Sequence, residues 1–324
     1  MKALITGGAG FAGSHLTEYL VGLGWDITVL AAEQESLGNI EGVLDRIRVA
    51  RGDLRDAPGL SNLVRRNTPD RVYHLAALSS PSDSIQNPAL TYEVNFLGTL
   101  NLLLACRELG EPVRVLFVSS SEVYGTGSTS DMPLREESPL RPANPYAGSK
   151  AAGELLAYQF FQSYGLTVVR VRPFNHTGPR QSSAFVCSDL ARQVAEIELG
   201  LRAPCITVGN LKVQRDFSDV RDIVRGYHLL LENGVAGEVY HLGSGRPVAI
   251  EVIVRMLLDE CSKKVEVVVD PARLRPGEAV ALWGDTFKAE DTVGWRREYP
   301  LECTLRDLKE YWKVQLRGGQ RLTC

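Results

Sequence analysis

A short apolar run, Ala3-Leu4-Ile5, passes straight into Thr6-Gly7-Gly8-Ala9-Gly10-Phe11-Ala12-Gly13. A strand that feeds a helix this abruptly must turn within a few residues. Glycine permits both that turn and a close backbone approach to a phosphate. Gly7 is expected to make the turn, Gly10 to admit a pyrophosphate, and Gly13 to let the helix lie against the strand. The free N–H groups and positive dipole end of a helix starting near Phe11 would face the anion. No Gly-Lys-Ser/Thr follows, which argues against a P-loop. The bland alternative is an ordinary glycine turn, so the rest of the chain must decide.

Four more apolar segments follow: Asp26 to Leu30, Ile47 to Ala50, Val72 to Ala77 and Val113 to Val118. Helical stretches separate them, one running from Pro88 to Leu109 with its proline in the first turn. Strands alternating with helices imply a parallel sheet covered on both faces. The expected fold class is α/β, a Rossmann-type doubly wound parallel sheet with a smaller α/β C-terminal substrate domain. At 324 residues the chain is too long for one compact core. The expected division is a dinucleotide lobe over 1–172, with later returns near 213–242 that include a strand at Glu238 to Leu242, and a second lobe over 173–324. His74 reads as a packed or capping residue, since no second histidine stands at metal spacing.

The second strand bears on cofactor choice. An acid at its end would bind the adenosine ribose hydroxyls and repel a 2′-phosphate. Here the segment ends Leu30-Ala31-Ala32, with Glu33 two residues late. Ala31 removes the repulsion, yet the next arginines in the chain are Arg46 and Arg48. NADP(H) and NAD(H) both stay open, with a lean to NADP or dual use.

Tyr146 and Lys150 stand four residues apart behind Pro145, a helix-starting proline. They would share one helix face. A phenol with its ordinary pKa near ~10 is a poor base at neutral pH, but a neighbouring ammonium favours the phenolate. Lys150 can supply that charge and bond the nicotinamide ribose. Ser120, closing the fifth strand, can hold the same substrate oxygen against the tyrosine. Such a group moves hydride and proton at an alcohol or ketone carbon.

These residues resemble the extended short-chain dehydrogenase/reductase family, whose members act on nucleotide-linked sugars. The likeness spans nearly the whole chain. It rests on Thr6 to Gly13, Asp53-Leu54, His74 to Ala77, Asn95 to Thr99, Ser119 to Gly125, the Tyr146/Lys150 pair and Arg172-Pro173-Phe174-Asn175. The resemblance selects Ser120 over its serine neighbours and places Asp53 and Leu54 at the adenine. It puts Leu75, Ala76, Ala77, Asn95 and Pro173 along the dinucleotide, with Phe11 and Ala12 in the turn. Within the family, Asn175 to Pro179, Phe185-Val186, Gln214 to Asp222 and Asp270 to Glu278 are similar to the GDP-mannose branch. That likeness implies a GDP-sugar substrate touched by Ser121, Asn175, Arg180, Val186, Arg215, Arg275 and Glu278. Arginine forks suit a diphosphate, although Asp216, Asp219 and Asp222 could instead pair Arg215 internally.

The branch holds 4,6-dehydratases and the reductases that act after them. A dehydratase needs a base for the C5 proton, and Glu122 matches that position; glutamate occurs there in reductases too, and bonding backbone at the strand end is the equal alternative role for it. Two departures favour a reductase of GDP-4-keto-6-deoxymannose that forms GDP-rhamnose. Phe11-Ala12 stands where dehydratases carry Gln-Asp, and Thr177-Gly178-Pro179 where they carry Glu-Ser-Pro. A GDP-mannose 4,6-dehydratase is the second reading and a sugar-nucleotide C4 epimerase the third. A dinucleotide-sensing regulator without chemistry is disfavoured because the Ser/Tyr/Lys set is intact.

A formal charge of −3 gives no basic field for nucleic acid. Six cysteines lack CxxC or metal spacing and read as reduced packed thiols, with no metal expected. No signal-peptide pattern and no apolar stretch of membrane-spanning length are read, so a cytoplasmic protein is expected. The resemblance further implies a homodimer, with the helix from Pro88 and the tyrosine helix paired across a two-fold axis as a four-helix interface.

Overall fold

The computed structural model describes residues 1–320 except 127, 128, 260 and 275–280. Thirteen strands follow in chain order. They are β1 (Lys2–Thr6), β2 (Asp26–Ala31), β3 (Arg48–Arg51), β4 (Arg71–His74), β5 (Arg114–Val118), β6 (Thr167–Pro173), β7 (Asn175–Thr177), β8 (Cys205–Val208), β9 (Gln214–Asp219), β10 (Val239–Leu242), β11 (Pro247–Ala249), β12 (Glu266–Val269) and β13 (Ala281–Leu282). Seven of them make one sheet in the order β10-β6-β5-β4-β1-β2-β3, and every pairing in it is parallel. The order runs outward in both directions from β1, which puts a crevice beyond the carboxyl ends of β1 and β4.

Period-two alternation divides the apolar side chains between the two faces. Ala3, Ile5, Val29, Tyr73, Leu116 and Val169 pack under the helices Phe11–Gly22 and Val220–Asn233. Leu4, Leu30, Val72, Val115, Phe117 and Val168 face Ala57–Asn67, Gly98–Glu108 and Pro145–Tyr164. Both faces being covered, the strands are mostly apolar, and the polar exceptions Thr28, Arg172 and His241 are buried.

The smaller assembly joins β11, β9 and β13, with β7 on β9 and a separate β8–β12 pair. Its core lies beneath the helices Val186–Glu198, Ile250–Leu258 and Leu301–Gln320. β9 belongs here, so the chain returns to the large sheet at Val220 rather than at 213; β10 then completes that sheet. The fourth strand stops at His74, three residues earlier than its apolar run, and Leu75 to Ala77 enter the crevice instead.

The helix begun by Pro88 runs to Glu108 with one π-helical stretch, Glu93–Leu97. A π turn re-aims side chains locally, and here Asn95 is buried. By length and composition this helix could cross a membrane, with a mean hydropathy of 1.2 and 44% of the window buried inside the protein. The expectation that no stretch reaches that length is therefore corrected. The helix packs on Ala57–Asn67 and Pro145–Tyr164, which covers one side of it.

Candidate active site

One cleft of about 1140 Å³ opens at the carboxyl ends of the central strands and reaches into the smaller assembly. Its floor at one end is the glycine turn. Gly7 sits at φ +70°, and a Cβ on Gly13 would overlap the Gly7 carbonyl oxygen. On Gly10 a Cβ would meet that same oxygen at 3.3 Å. The turn is therefore a backbone cradle that side chains would fill, with the first helix starting at Phe11 behind it. A dinucleotide pyrophosphate fits this cradle. Phe11, Ala12, Asp53, Leu54, Leu75, Ala76, Ala77 and Pro173 all line the same cleft.

Asn95 does not. It lies behind the wall, where its amide donates to the Leu78 carbonyl (3.1 Å) and the Ser149 hydroxyl (3.0 Å) and its oxygen accepts from Leu78 N–H (2.8 Å). The residue thus pins the loop after β4 to the tyrosine helix, and its assignment to the cofactor is corrected to one of support. His74 belongs to the same buried network, between the hydroxyls of Thr6 (2.7 Å) and Thr99 (2.9 Å). Burial pushes its imidazole down to about 3, with the nearby Lys150 charge adding to the effect, so it stays neutral.

The tyrosine helix spans Pro145–Tyr164 and is capped by Asn144, whose side chain accepts from Ala147 N–H at 2.8 Å. Tyr146 and Lys150 emerge one turn apart from its start into the cleft, opposite Ser120 and Glu122. Ser120 caps the short turn Ser121–Tyr124, accepting from Glu122 N–H at 3.1 Å. Its hydroxyl lines the same cleft as the Tyr146 phenol and favours the ionised form of that phenol.

The electrostatics reverse one expectation. Burial raises the Tyr146 phenol to about 12, with the Ser120 side chain working against that rise and the Glu122 carboxylate adding to it. The Lys150 ammonium, 3% exposed and 5.0 Å above the Phe117 ring, is itself pushed down to about 8 by desolvation, with Glu154 opposing. Desolvation is the largest cause at both groups. The phenol is protonated at neutral pH and stands ready as an acid.

The residues assigned to substrate separate into three groups. Asn175, Val186 and Arg215 line the cleft. Asp216 accepts from Ser244 and Gly245 N–H, Asp219 binds Arg221 and Thr304, and Asp222 binds Arg225. Ser121 is buried away from the lining, and Arg180 turns back to Glu18 at 2.6 Å, with Ser14 at 3.3 Å. Neither of these two reaches the cleft, because the carboxylate on the first helix captures the guanidinium. Arg275 and Glu278 lie outside the described residues.

Several lining residues carried no local signal. Glu35, Gln181 and Asp189 reach the cleft from a loop and a helix start, as does Arg273, which pairs with Asp189 at 2.5 Å. His176 also lines it, stacked on Phe11 with centroids 5.8 Å apart and planes at 12°. Its Nδ1 lies 3.0 Å from the Phe174 carbonyl oxygen, and burial holds it neutral. Among the described residues no cluster of three or more metal-ligating side chains occurs.

Comparison with known proteins places this arrangement. Residues 4–308 match the profile of the family described as GDP-mannose 4,6 dehydratase. The chain belongs to that family. The GDP-6-deoxy-D-mannose reductase of Pseudomonas aeruginosa is 36% identical over 316 residues, covering 98% of both chains. A solved structure of RMD from the same organism, complexed with NADPH, superposes with a TM-score of 0.86 at 34% identity, covering 97% of this chain and 99% of that one. DesIV, a dTDP-glucose 4,6-dehydratase from Streptomyces venezuelae with NAD bound, gives 0.85 at 32% identity over 98% of each chain. The protein is an NAD(P)-dependent enzyme of the nucleotide-sugar short-chain dehydrogenase/reductase type.

Proposed function

We propose that the protein reduces the C4 ketone of GDP-4-keto-6-deoxymannose to give GDP-rhamnose. The single observation that carries this reading is the convergence of Tyr146, Lys150 and Ser120 on one cleft, with burial pushing the Tyr146 phenol up so that it keeps its proton. Reduction of a ketone needs a proton donor at the carbonyl oxygen, which is what a phenol raised to about 12 supplies. A nicotinamide dinucleotide, its pyrophosphate held by the turn Gly7 to Gly13, would supply the hydride. Ser120 orients the C4 oxygen, and the Lys150 charge stabilises the phenolate as Tyr146 gives up its proton. At position 177 a threonine replaces the dehydratase glutamate, and its hydroxyl is committed to Gln181 at 2.6 Å. That residue offers no second acid.

A second reading, GDP-mannose 4,6-dehydratase, is favoured by Glu122, which lines the cleft close enough to act on the Tyr146 phenol. It would take the C5 proton. One pair of incubations separates the two readings. GDP-mannose alone is expected to remain unchanged, whereas GDP-4-keto-6-deoxymannose with NADH or NADPH is expected to consume the nicotinamide. Keto product formed from GDP-mannose would overturn the reductase assignment.

We further propose a homodimer through the two helices that leave Leu90, Leu97, Leu155 and Tyr158 exposed, Leu155 at 58%. Light scattering of the wild type at twice the chain mass, and of Leu155→Glu at the monomer mass, is the expected pair of results. A monomeric wild type would end the idea.

A further inference from the structure

Glu35 is four residues beyond the end of β2, too late in the chain for the acid that usually closes that strand. The loop brings it back. Its Oε2 accepts from Ala32 N–H at 3.1 Å, and Oε1 would lie 3.7 Å from a Cβ placed on Gly10. The carboxylate therefore lines the cleft beside the phosphate cradle, together with Ala32 and Asp53. Arg51, which the chain order did not place here, closes the loop from below. Its Nη1 donates to the carbonyls of Ala32 (2.6 Å) and Glu35 (2.7 Å). That guanidinium nitrogen is spent on backbone, and the carboxylate is what turns toward the cradle.

We propose that Glu35 selects NAD(H) over NADP(H) by accepting the adenosine ribose hydroxyls, where a 2′-phosphate would meet a like charge. The inference rests on the oxidoreductase reading above and reverses the lean towards NADP drawn from Ala31. A carboxylate can take two hydroxyl donors from a vicinal diol without competition from charge. A ribose phosphate brings roughly −1.5 to −2 charges at neutral pH. Two unit charges about 4 Å apart repel by about 1 kcal/mol even in water, and a phosphate charge of roughly −1.5 to −2 scales that to a discrimination of about tenfold or more.

Binding, not turnover, tests this. NADH and NADPH are titrated separately into the wild type, Glu35→Gln and the control Glu33→Gln, following energy transfer from tryptophan to the dihydronicotinamide. Near-ultraviolet circular dichroism confirms that each variant is folded. The wild type is expected to bind NADH at least about tenfold more tightly than NADPH. Glu35→Gln should bring the two dissociation constants within a few-fold of each other, while Glu33→Gln, on an exposed residue outside the lining, should leave the ratio intact. Raising the salt to about 1 M should shrink the wild-type ratio, because the Debye length falls to about 3 Å. A wild type that binds NADPH as tightly as NADH, or an unchanged ratio in Glu35→Gln, overturns the proposal. Binding of neither dinucleotide overturns the oxidoreductase reading itself and takes this inference with it.

Discussion

The Arg172 guanidinium meets the Glu154 carboxylate fork to fork, Nη2 to Oε1 at 2.5 Å and Nε to Oε2 at 2.9 Å, with both residues sealed from water. Glu154 stands on the tyrosine helix one turn beyond Lys150, and Arg172 stands on β6, three residues before Asn175, which opens β7 and lines the cleft. Arg172 also donates to the Tyr124 hydroxyl (2.5 Å) and the Glu136 carbonyl (2.7 Å), so four segments converge on one cation.

Breaking such a pair strands a buried charge. Glu154→Gln is expected to destabilise the fold by about 3–5 kcal/mol. Urea denaturation would check it, and a loss below about 1 kcal/mol would mean that water reaches Arg172.

Tyr146→Phe removes the proton donor and leaves the ring packing in place. Turnover of the 4-keto sugar should fall by about 10²–10⁴-fold, with the melting temperature nearly unchanged. If steady-state rates stay within about tenfold of the wild type, another group delivers the proton.

The pH profile of reduction follows from Lys150. Its folded pKa is depressed to about 8 by burial, so its charge is present below that pH and lost as pH rises through it. The phenol remains protonated well above. kcat/KM should therefore decline on the alkaline side with a midpoint near 8, and Lys150→Met should lack that limb. A wild-type profile flat to pH 10 would contradict the assignment.

Acid stability has a different origin. All five histidines are pushed below their ordinary value, with desolvation the first cause at each, and His74 and His241 fall to about 3. Between pH 6.5 and about 3 the unfolded imidazoles take up protons that the native ones refuse, so stability drops as pH falls through that window. Asp216, raised to about 6 by burial, acts in the opposite sense below pH 6. The net loss between pH 7.5 and 5 should be roughly 2–3 kcal/mol, read by denaturant titration at the two pH values. Equal midpoints and slopes would show that the buried histidines titrate normally.

Much of this architecture is legible in the chain because local and global signals agree. The glycine turn, the alternating strands and the tyrosine helix each carry their own steric requirement, and each forms where its residues indicate. What escaped reading depends on distant partners. Arg180 looks like a phosphate ligand until Glu18, 162 positions away, is found to hold it. Asn95 looks like a cofactor contact until the π turn buries it behind the loop it supports. The phenol was expected to be acidified by its lysine neighbour, but burial is a property of the folded whole and no pair spacing reports it.

The stacked rings of Phe11 and His176 have one further consequence. One ring belongs to the glycine turn and the other to β7, and the Glu18–Arg180 pair joins the neighbouring parts of the same two segments. The spacing between the glycine turn and β7 is thereby set by contacts within the chain. A ligand of the cleft arrives at a gauge already cut to width, and a lesion in that seam would be felt by both segments.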